Sequence, residues 1–492
     1  MPPTLKGDTP PRRVIPIAPS DDAGAAMVSM YQAEDKIHPR SVSGWFATWR
    51  WALVWGTQLL FYGLPWLDWN GRPAVLFDLA ARRFYIFKLV LYPQDFIYLT
   101  GLLILCAYGL FLFTAVAGRL WCGFACPQTV YTEMFLWVER RIEGERHQRI
   151  KLDAGPWTAQ KWLRKGAKQV VWIAIGLWTG FTFVGYFTPI RVLAQEALTL
   201  NFGPWEWFWV LFYGLATYGN AGFLREQVCK YMCPYARCQS AMFDKDTLVI
   251  AYDTRRGEPR GSRPRATGHS ALAGLGKGDC IDCTLCVQVC PTGIDIRNGL
   301  QYECIGCAAC IDVCDSVMDK MDYPRGLIRF ATQTGLAEGW SRAQMLKRVL
   351  RPRVLIYAAI LLLITLAFAT SLVLRSPFRV DVIRDRGALA RLVEDGRVEN
   401  VYRLQVMNAT ELPQRYRIAI HGLTGATVAS GAEVDVGATQ SRWMPVSVQL
   451  PPESARALGP GAHAMRFEIS RVAEGQASAA VVTEKSTFVI PR

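Results

Sequence analysis

The chain has 492 residues, enough for two or three domains, and 51% of them are hydrophobic, with 17 Trp and 23 Phe. That content is too apolar for an ordinary soluble protein and points to a membrane. A formal charge of +14 would suit a nucleic-acid binder, but the Lys and Arg residues stand beside apolar stretches, as juxtamembrane loops do, so nucleic acid is excluded as the expected partner and membrane lipid takes its place.

Residues 1–43 are polar with Pro-rich ends and carry no apolar core behind a basic region, so the expectation is a disordered cytoplasmic tail with no cleavable signal. Five charge-free apolar stretches follow, at 51–67, 96–118, 169–190, 207–224 and 354–374. Each is near the ~20 residues that a bilayer-spanning helix needs, and Trp and Tyr crowd their ends. The loop after the second stretch carries Arg119, Arg140, Arg141, Arg146, Arg149, Lys151, Lys161, Arg164, Lys165 and Lys168, whereas the loop after the third holds only Arg191. The positive-inside rule therefore puts the N-terminus and residues 225–353 in the cytoplasm, and residues 68–95 and the C-terminal domain outside, in the periplasm of a Gram-negative cell. The segment FYIFKLVLY within 68–95 is a candidate to lie at the membrane interface.

Residues 44–252 thus read as a membrane domain with four helices. Residues 253–278, rich in Gly, Pro and Arg, read as a flexible basic linker. A cluster domain occupies 279–338, and 339–375 combines a basic amphipathic segment, expected on anionic headgroups, with the fifth helix. From 376 to 492 short alternating runs such as VYRLQVMN, YRIAIHGL and AMRFEISRV predict an immunoglobulin-like β-sandwich. Within it, Thr424-Gly425-Ala426-Thr427 is like a short covalent-flavin motif, but four residues carry little weight. The fold class is a polytopic α-helical membrane protein of about five transmembrane helices, with an inserted dicluster ferredoxin domain and a C-terminal sandwich.

The densest chemistry lies at 280–314, which holds two copies of C-x2-C-x2-C-x3-C. Such a run gives three thiolates to one cubane cluster and the fourth to its neighbour. Cys280, Cys283, Cys286 and Cys314 are assigned to one [4Fe-4S] cluster, and Cys304, Cys307, Cys310 and Cys290 to the other. Pro291 follows Cys290 as the motif expects, whereas Asp315 stands where the second Pro would be. Zinc or a disulfide framework fits less well, because zinc motifs pair one C-x2-C with a distant second pair. No Cys follows Cys314, so the two ends of the chain suit different redox compartments.

A second set comprises WCGFACP, with Cys122 and Cys126, and VCKYMCP, with Cys229 and Cys233. Both are C-x3-C-P just after an apolar stretch, as in an internal repeat that would gather four thiols, with Cys238 and Met232 nearby. The i, i+4 spacing predicts two thiols on one helical face. Soft ligands favour Cu(I). A further iron-sulfur centre and buried structural or redox-active thiols are the alternatives, and Cys106, alone in the second stretch, reads as packing. The five His residues, His38, His147, His269, His421 and His463, all fall outside the apolar stretches, which argues against an intramembrane haem.

Two C-x3-C-P motifs, the doubled cluster insert, and a last span followed by RSPFRVDVIRDRG and ENVYRLQVMN together resemble the CcoG/FixG/RdxA family of cytochrome c oxidase accessory proteins, from about Ser43 to the C-terminus. The resemblance implies a bacterial cytoplasmic-membrane protein with two [4Fe-4S] clusters and a periplasmic immunoglobulin-like domain. It implies a cupric reductase that supplies Cu(I) for cbb-type oxidase assembly, with Cys122, Cys126, Cys229 and Cys233 at the copper site. The expected partners are an unidentified cytoplasmic electron donor and a copper chaperone or oxidase assembly factor. A quinol-linked electron carrier and a non-enzymatic assembly scaffold are the rival readings.

Overall fold

The computed structural model describes residues 36–492 apart from 266–267, 270–271, 386, 388–389 and 473–479. Most of the expected disordered tail lies outside the described residues. The chain divides into Met1–Ile37 and His38–Arg492, and everything below belongs to the second unit. Residues 38–43 are held against other elements: the Arg40 amide donates to the Gln288 carbonyl, and Ser41 donates to Glu145.

Among the described residues three helices are long and apolar enough to cross a membrane. Helix α2 (Phe96–Ala117) and helix α10 (Pro352–Val373) pair antiparallel, the Tyr98 hydroxyl donating to the Ser371 carbonyl and Tyr108 packing edge-on to Tyr357. At ~1.5 Å per residue each 22-residue helix covers ~33 Å. Helix α5 (Ala159–Val184) is the third. The expectation of five is thereby reduced. The first apolar stretch does form a helix, α1 (Trp45–Gly63), but it contains Arg50 and Gln58, both buried. The fourth, α6 (Pro204–Gly219), has 16 residues and then widens into π-helical turns at Asn220–Leu224 and Val228–Met232. Such turns concentrate at functional sites, and the second carries Cys229.

Glycines bring α5 and α6 together. A Cβ on Gly180 would stand 2.2 Å from the Val210 carbonyl oxygen, so the two backbones touch. Helix α4 (Pro127–Glu143) packs beside α5 through a charged core: Glu139 and Glu143 are fully buried and meet Arg149 (3.5 Å), Lys168 (2.8 Å to Glu143), Lys165 (3.0 Å) and Arg225 (2.8 Å). Several cations of the basic loop, Arg149, Lys165 and Lys168 among them, are therefore internal ion-pair partners.

At one end of the helices the segment 68–95 folds into a three-stranded meander, β1 (Val75–Asp78), β2 (Arg83–Ile86) and β3 (Leu89–Leu91). FYIFKLVLY therefore forms strands that share a small core, Leu76, Tyr85, Val90 and Tyr92 closing on Met407. Met407 belongs to the C-terminal sandwich. Its two antiparallel sheets, in order β9-β11-β7-β6 and β10-β8-β12-β13, comprise β6 (Phe378–Arg384), β7 (Val398–Asn408), β8 (Gln414–His421), β9 (Thr427–Ser430), β10 (Glu433–Val436), β11 (Ser441–Leu450), β12 (Gly461–Arg471) and β13 (Val481–Ile490). Alternate residues such as Tyr402, Leu404, Val406, Phe467 and Ile469 point inward and are fully buried, as period-two patterning requires. Thr424-Gly425-Ala426-Thr427 spans the turn into β9. Buried Asp95, just before α2, binds Arg375 and Arg379, which flank the start of β6, and so ties helices, meander and sandwich into one end.

At the other end sits the cluster domain. Strands β4 (Val249–Tyr252) and β5 (Ile328–Ala331) pair on either side of it, so the domain closes on the chain that enters it. The basic linker is not free: Arg256 donates to the Pro324 and Arg325 carbonyls, and Arg263 and Arg265 donate to those of Gly278 and Lys320. The basic lead-in to α10 is likewise pinned, Arg348 to Asp246 (3.0 Å) and Arg351 and Arg353 to Asp244 (3.0 Å each).

Candidate functional site

Each cysteine loop of the cluster domain turns through the left-handed region at equivalent places, Asp282 and Thr284 in the first copy and Gly306 and Ala308 in the second, with φ between 56° and 71°. These turns aim backbone N–H groups inward: the Gly306 amide reaches Cys304 and the Ala309 amide reaches Cys307. Two cavities result. Cys280, Cys283, Cys286 and Cys314 line one, and Cys290, Cys304, Cys307 and Cys310 line the other, with Cys286 at their border. The donor set and the two separate cages fit a pair of cubane clusters.

Burial raises five of these thiols, Cys286 to about 11, Cys304 to about 12, and Cys307, Cys310 and Cys314 as well, and neighbouring thiols push in the same direction. A nearby cation offsets this in each cage, but its origin differs. In the first cage it is Arg297 of the same domain, locked to Asp295 (2.7 Å) and Asp282. In the second, Arg119 lies close to Cys304 and Arg50 close to Cys307, and both come from the membrane domain.

Helix α9 (Ala309–Met321) bears Cys310 and Cys314. With Asp315 in place of Pro it runs on past the last ligand, and the Asp315 carboxylate accepts from the Gly326 amide (2.9 Å) on the return towards β5. On the same helix Asp312 accepts from the amides of Phe46 (3.2 Å) and Ala47 (2.7 Å), capping α1 from another domain.

The two C-x3-C-P motifs meet at this junction. Cys122 lies on α3 (Leu120–Phe124) and Cys229 on the second π-turn, whereas Cys126 and Cys233 are the extended residues that precede α4 and α7 (Pro234–Met242). The pairs do not share a helical face, because a residue before Pro is pushed out of the helical region, so the chain turns between the two thiols. The Gln128 and Thr129 amides at the start of α4 partly offset the burial that raises the Cys126 thiol. The thiols of Cys122, Cys126 and Cys229 are each pushed up in part by Cys233, so the four are gathered. Burial raises Cys122 to about 11 and Cys229 to about 12. Among the described residues no three His, Cys, Asp or Glu side chains converge tightly enough to hold a single metal ion. Met232 and Cys238 are exposed. Cys106 is exposed too, so the packing role expected for it is not seen within this chain.

The four thiols adjoin the second cage. Cys122 and Cys229 pack against a core that includes Cys307 and Ile305. A Cβ on Gly123 would stand 2.6 Å from the Cys307 backbone, and one on Gly306 2.9 Å from the Arg119 carbonyl, so no side chain fits between motif and cage. Arg119, buried, donates to the carbonyls of Tyr302, Cys304 and Ala236, clamping the cage to the turn before Cys122 and to α7. Below Cys122 runs a polar chain: its thiol donates to Gln239 (3.4 Å), which donates to Thr114 (3.3 Å), which bonds Tyr235 (2.6 Å). Sequence reading counted Arg119 only as loop charge and missed Arg50, Gly123, Asp312 and Gln239, because their roles depend on contacts across more than 100 residues.

Comparison with known proteins agrees with this layout. Residues 224–333 match a 4Fe-4S dicluster domain, 99–144 a 4Fe-4S binding domain, and 368–491 the IG-like fold at the C-terminal of FixG. The chain is 37% identical over 457 residues to nitrogen fixation protein FixG of Rhizobium meliloti, covering 85% of this chain and 87% of that one. It is 39% identical over 444 residues to protein RdxA of Cereibacter sphaeroides, covering 87% and 92%. A crystal structure of a FixG-related protein from Vibrio parahaemolyticus covers 23% of this chain and 97% of its own, at 23% identity and a TM-score of 0.20.

Proposed function

The chain belongs to the CcoG/FixG/RdxA family of iron-sulfur oxidoreductases, and from that premise we propose that it reduces Cu(II) to Cu(I) at Cys122, Cys126, Cys229 and Cys233 for the assembly of cbb-type cytochrome c oxidase. The observation that carries this reading is the backbone contact at Gly123, which sets the gathered thiols against the Cys307 loop. Cys280, Cys283, Cys286 and Cys314 would hold one [4Fe-4S] cluster, and Cys290, Cys304, Cys307 and Cys310 the other. Bound there, the clusters supply one-electron storage and relay.

The chain's own residues do the rest. Arg119 and Gly306 hold the second cage against the motif with no slack. The raised thiols are protonated before copper arrives and release protons as they bind it, and their softness favours the reduced ion. One electron converts one Cu(II) to Cu(I), which then passes to a copper chaperone or oxidase partner. The cages and thiols lie in the cytoplasm and the sandwich in the periplasm of a bacterial inner membrane, in keeping with the separation of the cysteines from the sandwich at opposite ends of the helices.

A second reading is favoured by the match of 99–144 to a 4Fe-4S binding domain, which contains Cys122 and Cys126: the four thiols hold a third cluster. Iron and copper counting separates the two. Anaerobically purified protein is assayed for iron, Cu(II) reduction with dithionite as donor, and Cu(I) binding, beside a variant with all four cysteines changed to Ala. Copper transfer predicts equal iron in both and loss of copper chemistry in the variant. A third cluster predicts that the variant loses four irons. Unchanged iron and copper behaviour refutes both.

A further inference from the structure

The donor's entry point is a separate question, and one crevice answers to it. Between α1, α4 and α5 lies a cavity of about 610 Å³, within the ~300–1,000 Å³ range of small-molecule sites. Its walls are apolar and rich in flat rings, Trp51, Trp55 and Trp137. Its polar part is small and grouped: Gln58 and Tyr62 line it, and behind them the Tyr62 hydroxyl bonds Thr179 (2.9 Å) and Tyr131 (3.4 Å). Gln58 is only 8% exposed, and its Oε1 is buried with no partner. A buried acceptor left unpaired is costly, so it marks a place where a ligand donor belongs. A lipid acyl chain has no such donor.

The cavity also lies on the helices that grip the cluster domain. Helix α1 is capped by Asp312 between Cys310 and Cys314 and carries Arg50 beside Cys307, and α4 begins just after Cys126. We propose that this crevice binds a membrane quinol, its ring between the tryptophans and one hydroxyl donating to Gln58 Oε1. Oxidation of one quinol to its quinone releases two electrons and two protons. The protons leave to solvent, and the electrons match two one-electron acceptors in the same chain. This site rests on the electron-transfer reading above, for which it supplies the donor class.

The test uses the whole protein in lipid nanodiscs, photolabelled with an azido-ubiquinone analogue in competition with decyl-ubiquinol, for wild type, Gln58→Leu and the cavity-filling Val54→Trp. Iron content and dithionite-driven copper reduction are measured alongside, to verify folding. Label on the peptide spanning 51–63, displaced by decyl-ubiquinol, with at least tenfold weaker competition in both variants, is the expected result. Label spread evenly over the lipid-facing helices, or saturable label equal in all three proteins, overturns the quinol site. So does recovery of phospholipid alone, with no competition by decyl-ubiquinol. Loss of dithionite-driven copper reduction in wild type refutes the copper reading instead and leaves the labelling result to stand separately.

Discussion

The two cysteine cages have the same spacing and the same backbone turns, yet they are finished by different parts of the protein. The first is completed from its own neighbourhood, by Arg297 and by Tyr252 of β4, whose hydroxyl lies on Cys280. The second is completed by the membrane domain, through Arg50, Arg119, and the contact of Gly123 with Cys307. A repeated motif therefore produces two unequal sites, and the unequal one faces the four additional thiols. That inequality would give direction to the electron path proposed above, which the motif alone would leave symmetric.

The comparison breaks most sharply at Gly123. Gly123→Val drives a side chain into the Cys307 backbone, and overpacking with no flexible neighbour to yield is expected to empty the second cage, with a loss of four irons per chain while the first cage keeps its four. Iron analysis with EPR of the reduced protein checks this, and equal loss from both cages would show that they are not independently built. Arg119→Ala follows. It strips three carbonyls of a buried charged donor, at about 1.5–3 kcal/mol for each bond to a charged group. Thermal unfolding should begin earlier in the cluster domain, with the EPR signal of one cluster broadened and the other unchanged.

Smaller effects sharpen the contrast without destroying either site. Arg50→Gln should lower the reduction potential of the second cluster, and Arg297→Gln that of the first, each by tens of millivolts, where about 59 mV is tenfold for one electron. Removing positive charge disfavours the reduced, more negative cluster, and a redox titration reads each shift separately. The smallest expected effect is on the metal-free chain. Cys286 at about 11 and Cys304 at about 12 lie above the ordinary 9.0, so the folded state holds protons that the unfolded chain releases first. Stability should be full below about pH 9 and fall as the pH rises towards 12. Denaturant midpoints measured across that window should show the decline.

Much was legible before folding was considered. The eight cluster cysteines lie within 35 residues, and local turns alone bring them round a cage. The sandwich announced itself through alternation, and α2, α10 and the part of α5 from residue 169 onward through uninterrupted apolar length. Errors arose where local pattern met a partner far along the chain. The linker at 253–265 is polar and Arg-rich, as flexible segments are, yet its guanidinium groups find carbonyls of the cluster domain. Part of the apolar character of FYIFKLVLY serves a core with Met407 more than 300 residues on, through Tyr85, Val90 and Tyr92. The i, i+4 thiols fell on different elements because the prolines at 127 and 234 turn the chain before them.

Residues near one another in the chain thus specified the two cysteine cages, three of the five expected apolar spans and the sandwich, through thiol spacing, apolar length and period-two alternation. Which cage meets the four thiols, which arginine serves which cage, and where the tryptophan-lined crevice opens emerge from the folded chain. Those depend on backbones 180 residues apart approaching until nothing larger than glycine fits between them, a distance over which local pattern carries no record of the partner.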